Sequence, residues 1–363
     1  MSKRVYVDFR VLSHDFIPPK LLCRDKQYEE LSTDLKLVEV GFPPPNFVVL
    51  GPSGSGKTVT VRKALSDLGF PHVYVVSEPL AYGTLCSMSS ILTGRRRWGL
   101  SMGVLWSEVD KLMPKPCVIV LDEAEKFMVG DDRSDDLLYY LVDRPETGLI
   151  LISNRMDLYD HVKDPRVRSR FNPRFLLFPP YKPEEIYAIV EDRLKLALGT
   201  EKIDELVDEG ALKLLSALAA QKGGDARYAI DLLRESIRLW ASREGLTGGR
   251  LSEVHVNEAR VRVERSYVED GVRSLSRSHK LMLLAALTSR TVGEAYRKFN
   301  ELAERYGLPP LSERRLREVL SELEREGFVY EERIGNRFYV KRSKWLPDNV
   351  VDILEKELSS ITP

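Results

Sequence analysis

Cysteine is scarce: the 363-residue chain holds three, Cys23, Cys86 and Cys117, with no pair at C-x-x-C spacing. That excludes a disulfide framework, argues against a thiolate zinc site, and points to a reducing compartment. Glutamine occurs only at Gln27 and Gln221 while Arg and Glu abound, a weak sign of heat adaptation. No apolar run approaches the roughly 20 residues of a membrane span. Met1-Ser2-Lys3-Arg4 opens no signal-peptide pattern, so a cytoplasmic protein without a membrane partner is expected. Net charge is lacking too, with 55 Lys+Arg against 55 Asp+Glu. A nucleic-acid surface would therefore be a local patch rather than a property of the whole chain.

The chain is long for one ordinary core, so two or three domains are expected. Its 43% hydrophobic and 30% charged residues describe a soluble globular protein. The clearest local pattern is Gly51-Pro52-Ser53-Gly54-Ser55-Gly56-Lys57-Thr58. The apolar run Phe47–Leu50 precedes it and a helical pattern from Val59 to Leu68 follows. That strand–loop–helix setting makes G-x-x-x-x-G-K-[ST] a phosphate site. Glycines let backbone N–H groups turn in on phosphate oxygens, and the helix N-terminus adds partial positive charge. Gly54, Ser55 and Gly56 would cradle phosphate, Lys57 would reach the β- and γ-phosphates, and the Thr58 hydroxyl would ligate Mg²⁺. ATP or ADP with Mg²⁺ is the expected cofactor.

Residues 1–15 carry no strong pattern and read as an arm or an edge strand. Phe16 to Asp25 then leads into a helix from about Lys26 to Val40. This lead-in either wraps the adenine, with Ile17 against the ring and Arg24 as a polar contact, or is an ordinary helix start held by prolines. Pro71–Val76 reads as a second buried strand, and 85–113 as two helices around Thr93–Gly99. Within that loop Arg95, Arg96 and Arg97 beside Trp98 suit phosphate contact with aromatic packing. The alternative is a solvated loop. Cys117–Glu123 is a continuous apolar run ending in two acids, the pattern of a central parallel strand buried on both faces. At its C-terminal edge Asp122 can hold Mg²⁺ through water, and Glu123 can orient and deprotonate an attacking water. Leu149–Asn154 repeats the design and would set Asn154 beside the γ-phosphate. Arg166, Arg168 and Arg170 precede a last strand at Phe175–Phe178. One of them, Arg170 by preference, could reach a neighbouring subunit's γ-phosphate; otherwise all three are surface charges.

From Lys182 the pattern is helical. One helix starts at Pro183 with Ile186, Ile189, Val190, Leu194 and Leu198 on one face. Others cover about 203–221, Asp225–Glu244 and 252–268, with 245–249 as a loop. Asp225 is a capping acid, and Arg227 in the first turn could point back to the nucleotide. Between Gly271 and Trp345 the chain turns basic, 16 Lys+Arg against 10 Asp+Glu. Helices at about 276–288, 291–306 and Ser312–Glu326 precede strands at Phe328–Glu332 and Arg337–Val340, joined by a tight Gly335-Asn336 turn. Three helices and a hairpin make a winged helix. With Ser312 as N-cap, Arg314, Arg315 and Arg317 stand where a recognition helix enters a major groove. Arg333 and Arg337 on the hairpin suit backbone or minor-groove contact. Winged helices also bind proteins; the basic surplus and its placement favour DNA.

The ordered set resembles one family over nearly the whole chain: the archaeal replication initiators of the origin-recognition-complex type, which are AAA+ ATPases. Its carriers are the Ile17-Pro18 and Leu22–Gln27 lead-in, GPSGSGKT, VIVLDEAE, Asp136–Leu141 before LISN, DPRVRSRF followed by FPPY, GDARYAIDLLRES and SHKLMLLAAL. GPSGSGKT and VIVLDEAE are common to AAA+ proteins, whereas GDAR-x-x-x-D-L-L and the appended winged helix are far more specific. The resemblance implies an α/β P-loop AAA+ core with a parallel sheet at 1–181, an all-α lid at 182–268 and a DNA-binding winged helix at 269–363. It implies Asn154 as first sensor, Arg227 as second, Arg170 as the finger arginine, and Tyr181 with Ile17 and Arg24 at the nucleotide. The Arg95–Trp98 insertion falls where these initiators carry an extra helix that contacts DNA. It further implies an ATPase with slow, switch-like hydrolysis, on the nucleoid at origin duplex DNA. Its partners there would be other initiator subunits and the replicative minichromosome maintenance helicase, which it helps to load. Two other functions stay open: a nucleotide-bound regulator of transcription or replication timing with the same fold, and a clamp-loader-like or signalling ATPase that reads proteins. The basic recognition helix disfavours the last.

Overall fold

The computed structural model describes residues 6–200, 203–244, 249–335, 337–343, 346–347 and 349–359. Asn336 of the expected hairpin turn, and all but Gly249 of the loop expected at 245–249, lie outside the described residues. The chain forms two compact units, Met1–Asn257 and Glu258–Pro363.

The first unit is built on β1 (Phe47–Leu50), β2 (His72–Val76), β3 (Cys117–Asp122), β4 (Thr147–Ser153) and β5 (Arg174–Leu177). They form one parallel sheet in the order β2-β3-β4-β1-β5. Side chains alternate across a strand, so β3 feeds two cores at once. Cys117, Ile119 and Leu121 join one cluster, Val118 and Val120 the other. The first cluster is covered by α3 (Ala81–Thr93), α4 (Met102–Leu112), α5 (Glu125–Met128), α6 (Ser134–Val142) and α7 (Pro165–Phe171), the second by α1 (Asp25–Leu37) and α2 (Lys57–Asp67). The apolar run at 71–76 hides that β2 is an edge strand, with burial alternating along it and Val76 exposed. The helices α8 (Pro183–Leu198), α9 (Glu209–Gln221) and α10 (Ala226–Glu244) follow the sheet. The helix expected over 203–221 is instead a 3₁₀ turn at Ile203–Glu205 and then α9. The described part of the N-terminal arm is not a strand. It makes a 3₁₀ turn at Phe9–Leu12, capped by Asp8, and Asp8 N–H donates to the Ala197 carbonyl of α8 at 2.8 Å.

α11 (Glu253–Ser274) runs across the division between the units and is six residues longer than the 268 expected for its end. The second unit continues with α12 (Arg277–Leu287), α13 (Val292–Arg305), α14 (Glu313–Arg325), the antiparallel pair β6 (Val329–Ile334) and β7 (Arg337–Arg342), and α15 (Val350–Ser359). α14 buries Leu316, Val319, Leu320 and Leu323, one stripe at helical spacing. Its start follows the expected cap, with the Ser312 hydroxyl accepting from Arg315 N–H. The closing helix α15 is an addition to the expected elements. Its signal was present as Val350, Leu354 and Leu358, four residues apart and buried.

A candidate nucleotide pocket and candidate nucleic-acid surfaces

In the parallel sheet the loops after β1, β3 and β4 leave from the same edge, so the residues following Leu50, Leu121 and Ser153 face one cleft. A cavity of about 520 Å³ lies there, lined by Ser53–Val59, Asp122, Glu123, Ser153 and Asn154. The arm and lead-in contribute His14–Pro18 and Lys20–Leu22, including Ile17; the helices α8 and α10 contribute Ile189, Arg193, Arg227 and Ile230. The lining thus mixes apolar side chains such as Ile17, Ile189 and Ile230 with charged ones such as Lys57, Asp122 and Arg227.

The loop after β1 is held in shape by its glycines. Gly54 and Gly56 have φ of +67° and +92°, open to glycine and strained for other residues. There is no room beside them either. A Cβ on Gly54 would sit 1.8 Å from Asp225 Oδ1, and one on Gly56 would sit 2.4 Å from the Tyr181 hydroxyl. Asp225 caps α10, accepting from Arg227 N–H at 2.8 Å, and Ala226 N–H donates to the Gly54 carbonyl at 3.2 Å. The N-terminus of α10 thus rests on the loop, and Arg227 in its first turn lines the cavity. Gly224 would likewise press a Cβ onto the Tyr181 backbone. Tyr181 is itself buried, which pushes its phenol up to about 12.

Lys57 is buried, and desolvation holds its ammonium below the usual lysine range. Its Nζ donates to the carbonyls of Gly51 at 2.7 Å and Pro52 at 2.8 Å. The Thr58 hydroxyl donates to Asp122 Oδ2 at 2.8 Å, while Asp122 Oδ1 accepts from Glu123 N–H at 2.9 Å. Glu123 takes φ +55°, unusual for a non-glycine residue, and its carboxylate pairs with Lys126. Asn154 is exposed at the head of the turn after β4. One hydroxyl and one carboxylate converging in this way suit a hard cation that keeps waters and phosphate oxygens as its other ligands. No cluster of three or more His, Cys, Asp or Glu that could cage a metal occurs among the described residues.

Two expected residues stand outside the cavity. Arg24 is 2% exposed and does not line it. Its guanidinium donates to the carbonyls of Ser55 at 2.8 Å, Cys23 at 2.7 Å and Pro179 at 2.7 Å and lies 3.7 Å over the Tyr181 ring. The structure therefore corrects the expected adenine contact: Arg24 braces the phosphate loop from behind, with its donors already turned to carbonyls. Arg170 sits on α7, paired with Asp143 and 5.2 Å over the Tyr139 ring. Arg166 pairs with Asp164, and Arg168 donates to the Val162 carbonyl.

Sequence reasoning missed three residues at this site. Arg193 is buried in α8, and burial lowers its pKa; it donates to the carbonyls of Val11 at 2.8 Å and Phe16 at 3.2 Å, tying down the arm. His14 Nε2 meets Asp231 Oδ1 at 3.0 Å. Tyr74 on β2 donates its hydroxyl to Asp122 Oδ2. The first two contacts join residues 182 and 217 positions apart, which no local spacing reveals. Tyr74 lies 48 positions from Asp122 inside an ordinary apolar strand.

The candidate nucleic-acid residues fall into two groups. After α3, Arg95 and Arg96 are exposed and Trp98 is 47% exposed. Arg97 differs: its Nη2 pairs with Glu108 at 3.1 Å, and its N–H donates to Ser90 Oγ. In the second unit Arg314 and Arg315 are 89% and 50% exposed and share the Glu318 carboxylate at 3.1 and 3.0 Å. Arg317 is exposed on the same helix. Arg333 stacks 5.7 Å over Phe338, and Arg337 is exposed at the start of β7.

Comparison with known proteins places three family models along the chain. Residues 47–178 match the ATPase family associated with various cellular activities (AAA), 187–261 the Cdc6 AAA+ ATPase-type lid domain, and 270–352 the CDC6 C-terminal winged-helix domain. An ORC1-type DNA replication protein of Methanothermobacter thermautotrophicus is 32% identical over 361 residues, covering 96% of both chains. The structure of the Aeropyrum pernix ORC1 protein in complex with DNA superposes with a TM-score of 0.81 at 27% identity, covering 99% of this chain and 98% of that one. The Aeropyrum pernix ORC2 protein, in ADPNP–ADP complexes, shares the fold at 21% identity and a TM-score of 0.57, over 98% and 99% of the two chains.

Proposed function

The chain belongs to the ORC1-type DNA replication proteins, AAA+ ATPases with a Cdc6-type lid and winged helix, and from that premise we propose that it is an ATP-gated initiator that binds origin duplex DNA and helps load the minichromosome maintenance helicase. The observation that carries the reading is convergence: the loop lysine, the strand-end acids, Asn154 and the α10 arginine Arg227 all line one cavity. A winged helix with an arginine-bearing α14 belongs to the same chain.

In this reading Gly54, Ser55 and Gly56 present backbone N–H groups to the phosphates, and Lys57 carries their charge. Ile17, Ile189 and Ile230 give the base an apolar slot, with Tyr181 closing the loop side. Thr58 and Asp122 would hold Mg²⁺, which when bound draws charge from the phosphate oxygens. Glu123 orients the attacking water and accepts its proton, while Asn154 and Arg227 contact the γ-phosphate. Arg170 would serve a neighbouring subunit, which requires it to leave Asp143. Slow hydrolysis then resets the switch on the nucleoid. The fold is read as a core at 1–181, a lid at 182–268 and a DNA-binding domain at 269–363. Arg95 and Arg96, with Arg333 and Arg337, would meet phosphates while Arg97 stays on Glu108, and Arg314, Arg315 and Arg317 would meet a groove. The Aeropyrum pernix ORC1 structure, with its TM-score of 0.81, is itself a DNA complex.

Genome-wide immunoprecipitation tests the reading. Enrichment at replication start sites, together with helicase recruitment that depends on ATP rather than ADP, is the expected result. Enrichment at promoters without helicase recruitment would replace the initiator by a regulator of the same fold.

A further inference from the structure

The Asp122 carboxylate is held by three donors. Two come from residues of the nucleotide loops themselves: the Thr58 hydroxyl at 2.8 Å and the Glu123 N–H at 2.9 Å. The third, the Tyr74 hydroxyl, shares Oδ2 with Thr58 and comes from the neighbouring strand. Strand register makes the contact possible. Tyr74 pairs with Val120 and Val76 with Asp122, so Tyr74 and Asp122 point to the same sheet face as a diagonal pair. A diagonal neighbour is within reach of a side chain as long as tyrosine. The ring is then fixed from above by α2, where the Arg62 guanidinium lies 4.2 Å over it. Arg62 in turn stands 4.0 Å from Asp15 of the arm. β2 is an edge strand, so nothing in the sheet beyond it constrains the ring.

We propose that Tyr74 is a positioning residue for the cation site: its hydroxyl fixes the Asp122 carboxylate through Oδ2, and Arg62 holds the phenol in place. The inference rests on the nucleotide reading above. An ionised carboxylate that already accepts two neutral O–H donors and one N–H cannot rotate without breaking a charge-assisted bond. Three of its four lone-pair positions are then filled, both on Oδ2 and one on Oδ1, which leaves one on Oδ1 for the cation or a water bound to it. Partners of this outer kind typically change metal affinity by about 10-fold or more when removed.

The test is nucleotide affinity with and without the cation, measured by calorimetry on nucleotide-stripped full-length protein. With ADP in EDTA, Tyr74→Phe should bind within about twofold of the parent, since the phenol touches no phosphate. The Mg²⁺ concentration that half-saturates the tightening of ADP should rise about tenfold. In an Asp122→Asn background the same change should have no further effect on that concentration. An unshifted Mg²⁺ midpoint in Tyr74→Phe, or an equal loss of affinity in EDTA, overturns the proposal. Should Tyr74→Phe not fold, Arg62→Gln keeps the hydroxyl and removes the ring's cover; a midpoint raised about threefold is expected, and an unchanged one overturns it. A parent protein that binds no ADP in either buffer removes the nucleotide reading itself, an outcome distinct from an unshifted midpoint in a parent that binds.

Discussion

Arginines at the nucleotide pocket and on the winged helix do opposite things with the same side chain. Arg24 and Arg193 are almost fully buried, and their donors end on backbone carbonyls of separate segments. Arg314 and Arg315 stand in solvent, and their partners are carboxylates one turn along the same helix. A buried guanidinium that satisfies several carbonyls fixes geometry, because moving it strands polar groups away from water. An exposed one paired along its own helix is stabilised by only a few tenths of a kcal/mol and can exchange its partner for a phosphate. Around the pocket these two buried arginines serve as scaffolding, whereas the helix arginines stay available to exchange partners.

The sharpest way to break this contrast is at the pocket. Lys57→Ala should bring nucleotide binding below detection by calorimetry, because the phosphates lose their main cation. Glu123→Gln should keep binding and stop hydrolysis, since an amide cannot take the water's proton. Equal ADP affinity in the parent and Lys57→Ala would dissolve the pocket half of the comparison.

Arg24→Ala comes next. It leaves three carbonyls without a donor, and a loss of about 3 kcal/mol in unfolding free energy is expected. Arg24→Lys should recover little, because one ammonium cannot span the Ser55 and Pro179 carbonyls in a planar fork. Thermal melts of nucleotide-stripped protein decide it; a melting point unchanged by Arg24→Ala would show that the brace is ornamental.

The loop after α3 sharpens the comparison within one stretch. Arg95→Ala with Arg96→Ala should weaken binding to an origin fragment and to a scrambled duplex alike and lower the salt slope by about two. Arg97→Ala should instead act on stability, by about 1 kcal/mol or less through its pair with Glu108, and leave the salt slope alone. If all three changes lower the slope equally, Arg97 also meets phosphate.

The smallest effects belong to the winged helix. Arg315→Ala should relax discrimination by about 1–3 kcal/mol at one base position, more than it lowers total affinity. Glu318→Gln should raise affinity for both duplexes by no more than about threefold, since it frees two arginines from a weak exposed pair. Binding isotherms at several salt concentrations report both.

What could be read without coordinates follows the same division. Gly51–Thr58, Asp122 and Glu123 were legible because their chemistry is set by local spacing next to a strand or helix end. The position of α14 was legible from its Ser312 cap and its run of arginines. Arg24 was found but given the wrong neighbour, since nothing local says whether a side chain turns toward a pocket or behind it. Tyr74, Arg193 and His14 escaped notice because each acquires its partner only when segments far apart in the chain pack together. The edge position of β2 was hidden because an apolar run looks alike whether one strand flanks it or two.

The tight seat of α10 on the phosphate loop has a consequence on the timescale of descent rather than of binding. Gly54, Gly56 and Gly224 admit no Cβ, Gly54 because of Asp225, the other two because of the Tyr181 hydroxyl and backbone. Gly103 and Gly293, by contrast, have nothing within 4 Å and no positive φ. Under neutral drift the latter two can wander to alanine freely, whereas each of the first three can change only if two segments shift together. A lineage that moves α10 away from the loop should lose the steric half of the constraint at Gly54 and admit asparagine there, which tolerates its φ of +67°, long before the lysine three residues on is released.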